Sequence, residues 1–473
     1  MVSVNSTLMP FECPGIWWLP GKSPDAGTAG ILRFTPEAGL ILDLIGTLSP
    51  STSIFTSSPR YEIIHGFAKG LPLGSVVTLV DAFRSTISMA SPGLSTETLR
   101  ANRAYVGEHL ATHEQFQMSG AEIHLSHLSN WVAYSGLDCR LSRIDDTTTW
   151  NIEYRSPDSI SADINGTRIL VDFGANLTRA SREITIREQV SLRVAANGEM
   201  AADTINSEFV HPLQNLLSFA TDRPNAITTY RFFRATTPEH ADWSEPVYLI
   251  YKPVYVDRTT VEPVYEHEML FSFRDVPMSF EQLLTRWFEL YSDIRPSFDV
   301  YFSYVYGSTT YVEPKFLSIL QAIRLYTEAR FRVSQKLVTE KTLKLKAELL
   351  PLPPGARSLI ESHLRPHEDE VLRGGLHELI APLQDAMASS LGSSTDVFVD
   401  EVVSLWDQIT HRRGGHAGRG GSGAAIHWKT QRLSYLFKAA ILREIGFDIP
   451  KITELFERNR RFVHLAAVEK DME

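Results

Sequence analysis

Apolar residues in this chain recur with two different periods, and the switch between them limits the possible fold more than any other feature. Through the first 200 or so residues the period is two, as a strand buried on one face requires. Gly30 to Gly46 alternates at Ile31, Phe34, Leu40, Leu42 and Leu44 around a Pro36-Glu37-Ala38-Gly39 turn. Tyr61 to Ile64, Val76 to Val80, Glu122 to Leu125, Trp131 to Tyr134, Thr167 to Asp172 and Ile184 to Val194 add further short strands between glycines and prolines. Such a series predicts a sandwich or a barrel. Phe209, Leu213, Leu216, Leu217 and Ala220 then form one helical stripe with Pro212 near its start. Strands return at Thr228 to Phe233 and Val247 to Tyr255. The Pro253-Val254-Tyr255 and Pro263-Val264-Tyr265 repeats read as edge strand or linker.

After Pro277 the period becomes helical. Ser279 can cap a helix whose face carries Phe280, Leu283, Leu284, Trp287, Phe288 and Tyr291. Phe316 to Leu350 reads as one long helix, closed by Pro351-Leu352-Pro353-Pro354-Gly355. Leu372 to Met387 reads as the next helix in spite of Pro382, followed by Phe398 to Ile409 and by Leu433 to Ile445, which Gly446 ends. Helices of this length predict an antiparallel bundle. The expected fold class is multidomain α+β, with a sandwich-like β-rich domain over residues 1–275 and an all-α helical bundle over residues 276–473.

Composition narrows the function classes. The chain has 473 residues, 43% of them hydrophobic and 22% charged, with a formal net charge of −10. A pI near 5.9 excludes a protein that coats nucleic acid over its whole surface. Two cysteines, Cys13 and Cys139, make neither a disulfide framework nor a zinc cluster and are expected as reduced thiols. The start lacks a basic, then apolar, secretory pattern. No apolar run approaches the roughly 18 residues of a membrane span. A cytoplasmic protein without membrane partners is the expectation.

Against that acidic background, Gln408 to Arg443 contains seven Lys or Arg and no Asp or Glu. The stretch Ile409 to Gly423 within it is Ile-Thr-His-Arg-Arg-Gly-Gly-His-Ala-Gly-Arg-Gly-Gly-Ser-Gly. A local positive field in an acidic chain points to an anionic ligand. The parts suit metal-free cleavage of RNA, which carries its own nucleophile in the 2′-hydroxyl. His416 can act as base or acid near neutrality. Arg412 or Arg413 can grip phosphate oxygens bidentately. The glycines let backbone N–H groups approach an anion, and the start of the following helix adds partial positive charge. Arg419, Lys429 and Arg432 are candidate RNA contacts, the last two competing with a plain solvated helix face. Glu328 is a candidate for orienting an arginine of the loop.

Other chemistries fit less well. Gly418-Arg419-Gly420-Gly421-Ser422-Gly423 matches a dinucleotide fingerprint in letters, but a helix precedes it where a strand is required. His411, His416 and His427 have no neighbouring thiol or carboxylate to complete a zinc site, so no metal and no cofactor are expected. The cations of the long helix (Arg324, Arg330, Arg332, Lys336, Lys341, Lys344 and Lys346) read as an exposed ion-paired side, with an RNA track as the alternative. Trp17, Trp18, Tyr61, Phe67 and Trp131 read as core or edge packing, or as a recognition surface for a ligand. His109, His113, His124 and His127 fall on different strand faces and are assigned no chemistry.

The stretch from Pro277 to Phe462 resembles a HEPN domain, whose ribonuclease members carry Arg, four to six residues, then His between the last two main helices. It is similar to the ApeA-type HEPN proteins of bacterial phage defence at Met269-Leu270-Phe271-Ser272, Trp287-Phe288-Glu289-Leu290 and Glu313-Pro314-Lys315-Phe316-Leu317. The first half resembles the ApeA N-terminal domain at Trp18-Leu19-Pro20-Gly21, Gly30-Ile31-Leu32-Arg33-Phe34, Val106-Gly107-Glu108-His109 and Leu128-Ser129-Asn130-Trp131. In the usual Arg-Asn, three residues, His pattern, His411 stands at the arginine position and Arg412 at the asparagine position, with His416 in place. The resemblance implies a homodimer with a two-protomer site, cleavage of cellular RNA such as tRNA, and abortive infection set off by a phage-derived trigger sensed in the first half. The alternative is a HEPN bundle that only dimerises or binds nucleic acid, beside a β-rich ligand-sensing domain.

Overall fold

The computed structural model describes residues 6–49, 60–88, 93–144, 147–234, 245–255, 264–307, 311–349, 353, 367–391, 394–410 and 423–470. The chain divides into two compact units: a β-rich one of residues 1–218 and 224–264, and a helical one of residues 219–223 and 265–473.

In the β-rich unit, alternation of apolar residues closes a barrel. Strands β1 (Phe11–Trp18), β2 (Thr28–Thr35), β3 (Gly39–Ile45), β4 (Arg60–Ala68), β5 (Val76–Ser88) and β6 (Thr96–Val106) pair antiparallel. Each is bonded to two others in the ring β1-β2-β3-β6-β5-β4. Trp17, Leu32, Phe34, Leu42, Leu44, Val77, Leu79 and Leu99 fill its interior. Gly66 faces Trp17 across the β1/β4 pair, and a Cβ there would lie 2.2 Å from the indole, so only glycine lets the ring lie flat on the strand. The expected Pro36–Gly39 turn joins β2 to β3, with Gly39 at φ 78°.

Strand β6 is long enough to serve two partners on one edge. Its first half pairs with β3 and its last four residues pair with β14 (Val247–Tyr251). From there the sheet runs on through β13 (Ile227–Phe233), β7 (Gln117–Leu125), β12 (Glu183–Ala201), β11 (Thr167–Ala180) and β10 (Ile160–Ile164). A shared strand therefore joins a barrel, one of the two expected architectures, to an open sheet. β8 (Leu137–Ile144) and β9 (Thr147–Tyr154) form a separate hairpin. Helix α1 (Leu128–Val132) follows β7, and α2 (Ala202–Ile205) continues through a π-turn into α3 (His211–Ala220), which carries the expected stripe. Pro253 to Tyr255 is not in a strand, while Pro263 and the preceding linker lie outside the described residues. Cys13 is buried and Cys139 exposed, both free thiols.

The helical unit is built from α4 (Phe280–Asp293), α5 (Arg295–Tyr306), α6 (Val312–Phe331), α7 (Val333–Leu349), α8 (Glu368–Ile380), α9 (Gln384–Leu391), α10 (Thr395–Thr410), α11 (Gly423–Glu444), α12 (Ile449–Arg458) and α13 (Arg460–Lys470). Ser279 caps α4 through the backbone N–H of Gln282, in a capping box with the Gln282 side chain. Gly446, at φ 106°, follows α11 as expected.

Two expected helices are broken. Arg332 adopts a left-handed conformation, φ 50°, between α6 and α7, and the carboxylate of Glu328 takes the N–H and hydroxyl of Ser334 at 3.0 and 2.8 Å. The new helix thus starts on a side-chain cap from the old one. At Pro382, which lacks an N–H to donate, a 3-10 turn separates α8 from α9. The bundle is also not antiparallel throughout. Gly423 lies beside Val312 at the start of α6, Phe437 packs on Tyr326, and Glu444 accepts from Tyr326 and Arg330, so α6 and α11 run in the same direction. Trp287, Phe298, Tyr301, Phe219 and Phe437 form the aromatic centre. Among the described residues, no helix is long and apolar enough to cross a membrane.

Candidate functional site

The parallel pairing of α6 and α11 puts two helix N-termini at one end of the bundle, beside Gly423, where the basic, glycine-rich stretch of the sequence ends. α10 ends at Thr410, whose hydroxyl donates to the carbonyl of Trp406 at 2.8 Å, and α11 begins at Gly423. The unpaired N–H groups at each helix start carry about half a positive charge. His411, Arg412, Arg413, His416 and Arg419 lie outside the described residues.

The two helices on either side of this stretch of sequence are tied by an ion pair. Lys429 on α11 donates to Glu401 on α10 at 2.7 Å, which fixes the first turns of α11 and neutralises one cation expected to meet phosphate. Arg432, one turn further, is buried at 9% exposure. A buried guanidinium is part of the bundle's structure, not a surface contact. Lys438, two turns on, is also buried, 2.6 Å from Asp222 and 4.2 Å above the ring of Tyr435. Burial pushes its pKa below the ordinary lysine value against the pull of Asp222. The positive stretch seen in the sequence is therefore only partly a surface: three of its seven cations are paired or buried by the fold.

Glu328 is occupied as the cap on Ser334, at the end of α6 remote from Val312. The cations of the broken long helix are likewise engaged: Arg330 with Asp293 and Glu444, Lys336 with Glu378, and Lys341 with Glu370. They form the ion-paired side that was the first of the two readings.

The fold brings one further group together at the start of α11. His427 and Trp428, in the first turns of α11, meet edge to face at 4.9 Å, and Trp428 meets His464 of α13 at 5.7 Å. His427 and His464 are exposed. A half-buried indole between two exposed imidazoles offers an edge of the kind unpaired bases stack against. Nothing in the spacing of residues 428 and 464 announces this contact, because it depends on the chain reversing at Asn459. That residue is fully buried. Its side-chain oxygen accepts from the N–H groups of Arg461 and Phe462, starting α13, and from the Tyr435 hydroxyl. Among the described residues, no group of three or more His, Cys, Asp or Glu is arranged to hold a metal ion.

Comparison with known proteins bears on the first part of the chain. A family model described as ApeA N-terminal domain 1 matches residues 12–287, from β1 into α4 and more than half of the chain. Neither a curated protein nor a solved structure matches. On the extent of the family match, this chain belongs to the ApeA N-terminal domain 1 family.

Proposed function

We propose that the protein is an ApeA-like defence protein whose helical unit is a metal-independent endoribonuclease of the HEPN type. In this reading His416 acts as base or acid on the 2′-hydroxyl and the leaving 5′-oxygen. Arg412 or Arg413 neutralises the phosphorane, and His411 occupies the position where related enzymes carry arginine. The observation that carries the reading is the convergence of the α6 and α11 N-termini beside Gly423, where the His- and Arg-bearing stretch of the sequence ends. The adjacent His427–Trp428–His464 surface supports it as a place for an unstacked base. RNA such as tRNA is the proposed substrate, a homodimer the proposed assembly, and a phage-derived molecule the proposed trigger.

Purified protein incubated with total RNA in EDTA tests the chemistry. Discrete fragments are expected, and His416→Ala should slow their appearance by about 10²–10⁴-fold, the usual weight of one acid–base group. Arg412→Ala/Arg413→Ala should do at least comparable damage. A 2′-deoxy substitution at the mapped cut should abolish it. Cleavage at the wild-type rate by both variants, or a strict need for Mg²⁺, refutes the mechanism. A second reading, a HEPN module that binds nucleic acid or dimerises without cutting, is favoured by the neutralised Lys429 and by histidine at position 411. RNA binding without fragments would select it.

A further inference from the structure

The β-rich unit carries a polar cavity of about 690 Å³ that the sequence reading assigned to nothing. It lies on the open sheet, across β11, β12, β7, β13 and β14, on the face turned away from Ile123, Leu192, Val194, Tyr230 and Phe232. Strand alternation makes this face polar, and a merely solvated face would need no more than that. This one differs, because it buries a charge. Glu122, in the middle strand, is 3% exposed. Burial would raise its pKa, but the hydrogen bond with His124 and the charge and hydrogen bond of Arg231 outweigh burial and hold it at about 2.

This carboxylate fixes the cations around it. Arg231 donates to one oxygen of Glu122 at 2.6 Å and the His124 ring lies 3.2 Å from the same oxygen, while Arg193 reaches the other at 3.4 Å and Asp172 at 3.3 Å. Both guanidiniums also lie over the ring of Phe233, at 5.3 and 5.9 Å. Their planes are thus set before anything binds. A third guanidinium, Arg187, stands on the same face of β12, and among the described residues it has no ion-pair partner. Three guanidiniums against two carboxylates leave the cavity one positive charge in excess and rich in N–H donors. Arginine has five such donors and no acceptor. Hydroxyl and amide groups, among them Thr229, Tyr248 and Gln189, complete the wall.

We propose that this cavity binds a small phosphorylated, hydroxyl-rich molecule of mononucleotide size, with Arg187 taking the phosphate and the Arg231–Glu122–Arg193 row fixing the remainder. The volume falls within the ~300–1,000 Å³ of small-molecule sites, and the wall is polar where drug-like sites are apolar, which selects a polar ligand. An anion of this kind supplies the acceptors that the guanidiniums need and the charge that Arg187 lacks.

Calorimetry on the full-length protein tests this with four probes: adenosine 5′-monophosphate, ribose 5-phosphate, inorganic phosphate and adenosine. The two phosphate esters should bind, and adenosine at least about tenfold more weakly, a loss of about 1.4 kcal/mol or more. Arg187→Ala should weaken the esters about tenfold while leaving the thermal midpoint of the free protein in place, because the residue is exposed and unpaired. Arg231→Lys, which keeps the charge and loses the fork, should weaken them too. Arg373→Ala, which removes a surface ion pair with Asp400 in the helical unit, should leave ester binding unchanged. No ester binding at millimolar concentration, equal binding of adenosine, inorganic phosphate binding as tightly as the esters (an adventitious ion only), or ester binding indifferent to Arg187→Ala would each overturn the proposal.

Discussion

Asp275 shows how individual charges are held in the helical unit. Its carboxylate accepts both Nη groups of Arg458 at 2.8 and 2.6 Å and the N–H of Ser272 at 2.8 Å, with Lys451 at 3.6 Å. Burial alone would raise its pKa, but the Arg458 and Ser272 hydrogen bonds win and hold it at about 2. A depressed carboxylate stabilises the fold above its unfolded value of ~3.9, and that contribution disappears as the pH falls through about 2. A shift of this size corresponds to about 2 kcal/mol at neutral pH. Asp275→Asn should therefore lower unfolding stability by about 2 kcal/mol at pH 7 in urea titrations. The deficit should shrink towards pH 2, where the wild-type group is itself protonated. A deficit that is the same at pH 7 and pH 2 would mean that packing, not charge, explains the residue. Glu122 obeys the same rule in the other unit, where its buried carboxylate anchors two guanidiniums and an imidazole.

At the scale of elements, the breaks in the helices separate what periodicity reveals from what it cannot. The apolar stripe of α6 runs on into α7 without a change of phase, so Phe316 to Leu350 reads as one helix. Arg332 nevertheless turns left-handed, and the interruption is written in a polar contact between Glu328 and Ser334 that no stripe records. A left-handed residue with a Cβ costs roughly 1–2 kcal/mol, and β-branching makes it worse. Arg332→Val should destabilise by at least about 1 kcal/mol, whereas Arg332→Gly should be neutral or slightly stabilising, since glycine's added freedom in the unfolded chain offsets part of its gain. Equal losses in both variants, measured by urea unfolding, would show that the arginine head group and not the backbone matters there. The strands of the barrel were legible because alternation and turn residues agree, as at Pro36 to Gly39. Closure of the ring was not, since it depends on β6 being shared by β3 and β5 and on β4 returning to β1. The candidate site was legible in composition alone. Which cations of the basic stretch stay at the surface depends on partners far away in sequence: Glu401 for Lys429 and Asp222 for Lys438. The polar cavity escaped notice for a related reason, because its rows cross five strands and each strand shows only every second residue.

For the molecule as a whole, the helical unit is not one continuous piece of chain. Residues 219–223 belong to it, although β-rich sequence lies on both sides of them. Phe219 packs on Phe271, Trp287 and Tyr301, while the carbonyl of Ala220 accepts from the N–H groups of Leu270 and Phe271. Asp222 is the partner of the buried Lys438 and also lies 3.5 Å from Arg461. A fragment cut at the most obvious linker, residues 265–473, keeps every helix from α4 onward but leaves Lys438 without its counter-charge and a gap where the Phe219 ring belongs. Removing one partner of a buried ion pair costs about 3–5 kcal/mol, and losing a core phenylalanine a further ~3–5 kcal/mol. Together these match the whole stability of many domains, ~5–15 kcal/mol. The fragment should consequently be unfolded or only loosely folded by near-ultraviolet circular dichroism and urea titration. Lys438→Met should recover part of the loss in the fragment, because it removes the orphaned charge, yet should give no such gain in the full chain, where Asp222 would then lose its nearer cation and keep only Arg461. A fragment as stable as the full-length helical unit, or one indifferent to Lys438→Met, would show that the five inserted residues contribute nothing. RNA cleavage should be sought in the intact protein for the same reason: inactivity of the isolated helices would report lost folding, not missing chemistry.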